Sequence, residues 1–127
     1  MSQPQPRFSV RARIRSVSYA LRGCRLILQT QPNAWIHLIA TSCVGAAGLL
    51  LGVSRIEWCV LILAVMFVWI TETLNTAIEF FTDLVSPEYH PTAGQVKDIA
   101  AAAVLISAVG SVLIGAIILV PRVIQML

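Results

Sequence analysis

The chain has 127 residues, 57% of them hydrophobic and 12% charged, and nine Lys and Arg against six Asp and Glu leave a formal net charge of +3. Soluble domains carry about a quarter charged residues, so this composition excludes an ordinary water-soluble fold and requires a bilayer. The basic excess does not call for a nucleic-acid partner, because its distribution along the chain has a membrane explanation.

Residues 1–7, with Pro4 and Pro6, hold no apolar side chain beyond the initiating methionine and read as a disordered leader. The start is Arg-rich and only intermittently apolar, unlike a secretory signal peptide. Over 8–30, Val10, Ile14, Val17, Leu21 and Leu28 recur at spacings of three, four and seven among arginines. That pattern predicts an amphipathic helix lying in the membrane interface, its arginines toward anionic headgroups. Pro32 and Asn33 then break the helix and turn the chain into the bilayer.

A hydrocarbon core of about 30 Å needs about 20 predominantly apolar residues per crossing, and three stretches supply them: 34–53, 58–83 and 97–120. The predicted fold is an all-α membrane protein with three transmembrane helices after the interfacial one, and the connections are too short for a second domain. The first span carries Gly45, Ala46, Ala47 and Gly48, and the third Ser107, Gly110, Ser111 and Gly115, small residues that permit close helix contact. Residues 86–96 read as a short polar loop, and Pro121 with Arg122 as the end of the third span. Cys24, Cys43 and Cys59 lack metal-ligand spacing and read as small buried hydrophobes. Seven of the nine basic residues precede the first span or stand between the second and third, and only Arg55 and Arg122 lie on the other side. The positive-inside rule therefore places the N-terminus and the second connection in the cytoplasm.

The second span holds the unusual residues. Glu72, Asn75, Glu79 and Asp83 follow a run from Trp58 to Ile70 that contains no charge. At about 100° per residue the four fall within an arc of about 80°, and Glu72 lies roughly 21 Å along the helix from Trp58, within hydrocarbon depth. An ionised carboxylate there costs at least a few kcal/mol and must face protein, water or metal. Three readings are open: a divalent-metal and phosphate site, a proton relay in a transporter subunit, and a buried network that only specifies assembly. Lys97 and Asp98 open the next span on the side where Glu79 and Asp83 emerge, so carboxylates for Mg²⁺ and an ammonium for phosphate converge where cytoplasmic ATP would be. Glu72, deeper, is placed to take a proton from a lipid hydroxyl. The other spans contain no carboxylate beyond Asp98, which weighs against a transmembrane relay, and no Walker-type loop or protein-kinase signature is present.

The E-x-x-N-x-x-x-E segment from Glu72 to Glu79, with Asp83, Glu88-Tyr89-His90, Gly94 and Lys97-Asp98, resembles the prokaryotic diacylglycerol kinase family, which includes undecaprenol kinases. The resemblance runs from about Arg15 to Val120 and takes in Tyr19, Arg22-Gly23 and the segment from Asn33 to His37. It implies a homotrimer in the bacterial cytoplasmic (inner) membrane, with active sites between subunits, that uses MgATP to phosphorylate a lipid hydroxyl of diacylglycerol or undecaprenol. It also implies roles: Glu72 as catalytic base, Asn75 as its polar support, and Glu79 as ligand of metal and nucleotide phosphate. Tyr19, Gly94, Lys97 and Asp98 then belong to the nucleotide site, and Asp83 matches an acidic position of less defined role. Two residues depart from the pattern. Gln31 stands where many members have a metal-binding Glu, and Trp35 where Arg is frequent, so the alternative reading is a catalytically weakened trimer with a structural or regulatory role. His37 matches the undecaprenol-type branch.

Overall fold

The computed structural model describes residues 9–126, which form four helices and, among the described residues, no strand: α1 (Val10–Thr30), α2 (Pro32–Leu50), α3 (Arg55–Val85) and α4 (Pro91–Met126). The leader expected over 1–7 lies outside the described residues. The other three helices are each long and apolar enough to cross a membrane, so the interfacial helix and three spans stand in the order expected.

Ser9 caps α1, its hydroxyl accepting from the Ala12 amide. Val10, Ile14, Val17 and Leu21 are exposed on α1, and Ile27 is its one buried residue among those described. An apolar face without protein beneath it suits a helix bedded in the headgroup boundary. Gln31 alone separates α1 from α2. It is extended at φ −111° and ψ 109°, as sterics require of a residue before proline, and Pro32 starts α2 at a position whose N–H has no helical partner to lose. The Trp35 indole donates to the Leu28 carbonyl at 3.0 Å and ties the two sides of this elbow together.

The 51–54 turn reverses the chain, with Gly52 at φ +61°, a left-handed conformation that glycine adopts without strain. Ser54 and Glu57 then form a reciprocal capping box on α3. Helices α3 and α4 make the principal packing contact. Leu61, Ala64 and Val68 of α3 and Ala100 and Val104 of α4 are buried, and the Thr71 and Ser107 hydroxyls meet at 2.7 Å while Ser111 donates to the Ala64 carbonyl at 2.9 Å. The serines of the expected small-residue face do this packing; a Cβ at Gly110 or Gly115 would meet nothing within 4 Å.

Three expectations are corrected. The stretch 86–96 is mostly helix: α4 begins at Pro91, where proline is compatible with a first turn and His90 Nδ1 accepts from the Thr92 amide at 3.2 Å. Pro121 does not end α4, which continues to Met126, because one proline removes a single ladder bond without stopping a helix. Cys24, Cys43 and Cys59 are exposed rather than buried, since a membrane protein turns apolar surface outward, where lipid replaces a core.

Candidate functional site

At the end of the bundle formed by the 31 elbow and the 86–90 connection, α2 and α3 bring five of the expected residues together. The one-residue elbow aims Gln31 across at α3, where its Nε2 donates to Glu79 Oε2 at 3.0 Å. Asn75, one turn earlier on α3, donates from Nδ2 to Glu79 Oε1 at 2.9 Å. Each carboxylate oxygen of Glu79 thus has an amide donor, and hydrogen bonds to a charged group are worth about 1.5–3 kcal/mol each.

Glu72 lies two turns deeper and is treated differently. It is 1% exposed, yet neither carboxylate oxygen has a hydrogen bond, and Asn75 Oδ1 is likewise buried without a partner. The group facing Glu72 is His37 of α2, with Nε2 3.6 Å from Oε2. The imidazole is held edge-on to the Trp69 ring, centroids 6.3 Å apart, and the Trp69 indole is anchored by donation to Thr41 Oγ1 at 3.1 Å. A buried carboxylate without donors is costly; in a native fold such a group marks function more often than packing.

From His37 a groove of about 520 Å³ runs between α2, α3 and α4 past Val44, Val68, Val112 and Leu119. Its walls are apolar and its polar end is at His37.

Lys97 lies on the side expected, and its ammonium is paired with Asp83. Asp98 is exposed, and no hydrogen bond or ion pair engages it among the described residues. Gly94 opens the first turns of α4 with no side-chain neighbour near its Cβ position. Tyr19 is exposed, with the Arg22 guanidinium 4.8 Å over its ring; standing twelve residues before Gln31, it is roughly 18 Å along α1 from the elbow. No hydrogen bond or ion pair joins Tyr19, Gly94 or Asp98 to Glu79 within the single chain.

A metal ion at this end would find Glu79 flanked by two side-chain amides, and among the described residues no group of three or more His, Cys, Asp and Glu. The donor set suits Mg²⁺ arriving with substrate phosphates, which commonly needs only one or two protein carboxylates, and does not suit a resident ion caged by protein alone. Sequence reasoning missed the Trp35 tie at the elbow and the Trp69–Thr41 support of His37. It also missed the far-end role of Arg122, which donates to both Glu57 carboxylate oxygens and to the carbonyls of Leu51 and Gly52. A signal for that last contact was present, since Glu57 and Arg122 fall on the same side of the membrane by span order.

Residues 18–119 match the family described as prokaryotic diacylglycerol kinase. The chain is 38% identical over 108 residues to the undecaprenol kinase of Bacillus subtilis (strain 168), covering 85% of this chain and 88% of that one. It is 37% identical over 113 residues to the diacylglycerol kinase of Escherichia coli (strain K12), covering 84% and 87%. The diacylglycerol kinase of Synechocystis is 38% identical over 113 residues, 88% of this chain and 65% of its own.

Proposed function

We infer the reaction from the family to which the chain belongs, the prokaryotic diacylglycerol kinases. The protein is a membrane-embedded lipid kinase. We propose that it transfers the γ-phosphoryl group of ATP to the primary hydroxyl of a lipid, with diacylglycerol and undecaprenol as the candidate acceptors.

The observation that carries this reading is the pair of unlike carboxylates on one face of α3: Glu79 held by two amides toward the surface, and Glu72 buried and unbonded two turns below. Glu72 takes the proton of the acceptor hydroxyl, and a carboxylate with no competing donor is free to do so. Glu79, with Gln31 and Asn75 beside it, would hold the Mg²⁺ that accompanies ATP; that ion neutralises phosphate charge when bound. Lys97 adds a compact positive charge at the same end once phosphate displaces Asp83. Most of the rate then comes from position and charge, as is general for phosphoryl transfer. The groove ending at His37 fits the hydrocarbon chain of the acceptor.

The active site is assembled between subunits of a homotrimer. Tyr19, Gly94 and Asp98, which the family resemblance assigns to the nucleotide, have no hydrogen bond or ion pair with Glu79 in one chain, and in the proposed trimer a neighbouring subunit brings them to it. The N-terminus and this end of the bundle face the cytoplasm, in line with the seven-to-two distribution of basic residues.

The test is transfer of labelled phosphate from ATP by the detergent-purified protein, with and without Mg²⁺, offered each lipid separately and with Glu72→Gln alongside. Mg²⁺-dependent labelling of one lipid, lost in the variant, supports the reading and names the acceptor. A folded trimer that labels neither lipid rejects it in favour of the catalytically weakened form, with Gln31 the first position to revert to Glu.

A further inference from the structure

Each lipid phosphorylation releases one proton, and the kinase reading above assigns its first acceptor to Glu72. With only 1% of its surface exposed, Glu72 has no direct way to pass that proton to water. It has no hydrogen-bonded partner to take it either. Asn75, on the next turn, carries an amide and cannot accept it.

His37 can. Its Nε2 is 3.6 Å from Glu72 Oε2, and its side chain, 14% exposed, stands at the polar end of the groove, so it is the group beside the carboxylate that opens to the surroundings. Nε2 is itself buried without a hydrogen-bond partner, which leaves its lone pair available when Nδ1 carries the hydrogen. The ring is fixed by Trp69, and Trp69 by Thr41. A histidine that only filled space would need neither the open nitrogen nor the facing carboxylate.

We propose that His37 is the proton outlet of Glu72: it receives the proton from the carboxylic acid after each transfer and restores the base for the next. The lipid O–H bond breaks as its proton passes to a Glu72 oxygen. The hydroxyl oxygen bonds to the γ-phosphorus while the bond from that phosphorus to the bridging oxygen breaks, and ADP leaves with the electron pair. Glu72 then gives the proton to His37 Nε2, the imidazolium loses one to water from Nδ1, and the neutral ring returns from the Nε2–H to the Nδ1–H tautomer, by ring flip or proton exchange, before Nε2 accepts again. The surrounding charges leave this pair to itself: Glu79 on α3 is engaged by Gln31 and Asn75, Lys97 on α4 is paired with Asp83, and Gln31 at the end of α1 is neutral.

The experiment is steady-state kinetics of the full-length purified chain with MgATP and the lipid that the unaltered protein phosphorylates. His37→Ala is expected to lower kcat about 100-fold, within the range for lost acid–base catalysis, with the KM of both substrates little changed. Added imidazoles should restore the rate in proportion to their base strength. His37→Gln keeps an amide of similar reach that cannot carry the proton, and is expected to stay slow. Wild-type kcat in His37→Gln overturns the proposal, as does a loss confined to the lipid KM. If His37→Ala does not fold, His37→Gln decides alone. An unaltered protein that transfers no phosphate overturns the kinase reading and this proposal with it; an active one with a fully active His37→Gln overturns only this proposal.

Discussion

The two ends of the bundle solve the same problem, charge at the edge of hydrocarbon, in opposite ways. At the turn end, Arg122 of α4 bonds both oxygens of Glu57 and the carbonyls of Leu51 and Gly52, and Ser54 and Glu57 cap one another. The charges of this cluster are paired, and the C-terminal end of α2, the first turn of α3 and the last turns of α4 are tied at one point. At the elbow end, Glu72 and Asn75 keep three buried oxygens unpartnered, and His37 keeps a nitrogen open. The difference separates the Arg122–Glu57 cluster, whose bonds tie helix ends together, from Glu72, whose oxygens are left open. Groups left open at a cost in stability are the ones kept for chemistry.

The sharpest way to break the comparison is Glu72→Gln. The carboxylate is lost while the shape is kept, so kcat is expected to fall about 10³-fold, in the range for removal of a general base, with nucleotide affinity nearly unchanged. Thermal stability should hold or rise, because a buried unbonded charge has become a neutral amide. A variant that lost stability and kept its turnover would show Glu72 to be structural and would erase the distinction between the two ends.

Glu79→Gln is expected to act differently and less severely. Its carboxylate is already satisfied by Gln31 and Asn75, so in the proposed reaction its service is to bind rather than to move a proton. Mg²⁺-dependent nucleotide binding, read by calorimetry across a Mg²⁺ series, should weaken about 10–100-fold, the scale on which a metal site loses a supporting group. Gln31→Glu sharpens this further. Two carboxylates at 3 Å repel, so that variant should be less stable than the parent in chelator and regain stability when Mg²⁺ and nucleotide are added.

Arg122→Ala tests the other end. It removes the partner of Glu57 and the donor to two carbonyls, and the apparent melting temperature should fall by roughly 5 °C. Turnover per folded molecule should not change, since α4 carries Lys97 25 residues away along the helix. Arg122→Lys is expected to recover little, because one ammonium cannot span a carboxylate and two carbonyls as a planar guanidinium does.

Faces and lengths were legible in the sequence; partners were not. The apolar runs gave α2 and α3 nearly as found, and the 3.6-residue period placed Glu72, Asn75 and Glu79 on one face. Periodicity says which way a side chain points and nothing about what it meets, so Gln31 with Glu79, 48 positions apart, and Arg122 with Glu57, 65 apart, required coordinates. Local signals misled where two contexts share a residue. Pro91 belongs equally to a loop and to the first turn of a helix, and Pro121 equally to a stop and to a helix with one bond missing. In the sequence Gln31 is only a departure in a metal site; its role as shared cap of α1 and α2 and donor to Glu79 is set by the elbow geometry.

The smallest expected effect comes from Gly48, on the turn-end half of α2. A Cβ built there would come within 2.7 and 2.9 Å of the Trp58 ring on α3, closer than carbon atoms tolerate, so Gly48→Ala must displace the indole. Overpacking typically costs about 1–3 kcal/mol, and alanine returns up to about 1 kcal/mol through its preference for helix over glycine. Trp58 is only partly buried, so its ring can yield and the net destabilisation should sit at the low end, about 1 kcal/mol or less. Kinetics should not register it, because α2 carries His37 three turns away at the opposite end. A Gly48→Ala variant with wild-type stability and reduced kcat would mean that the turn end communicates with Glu72 through the tilt of α2, and the two ends would then be one device.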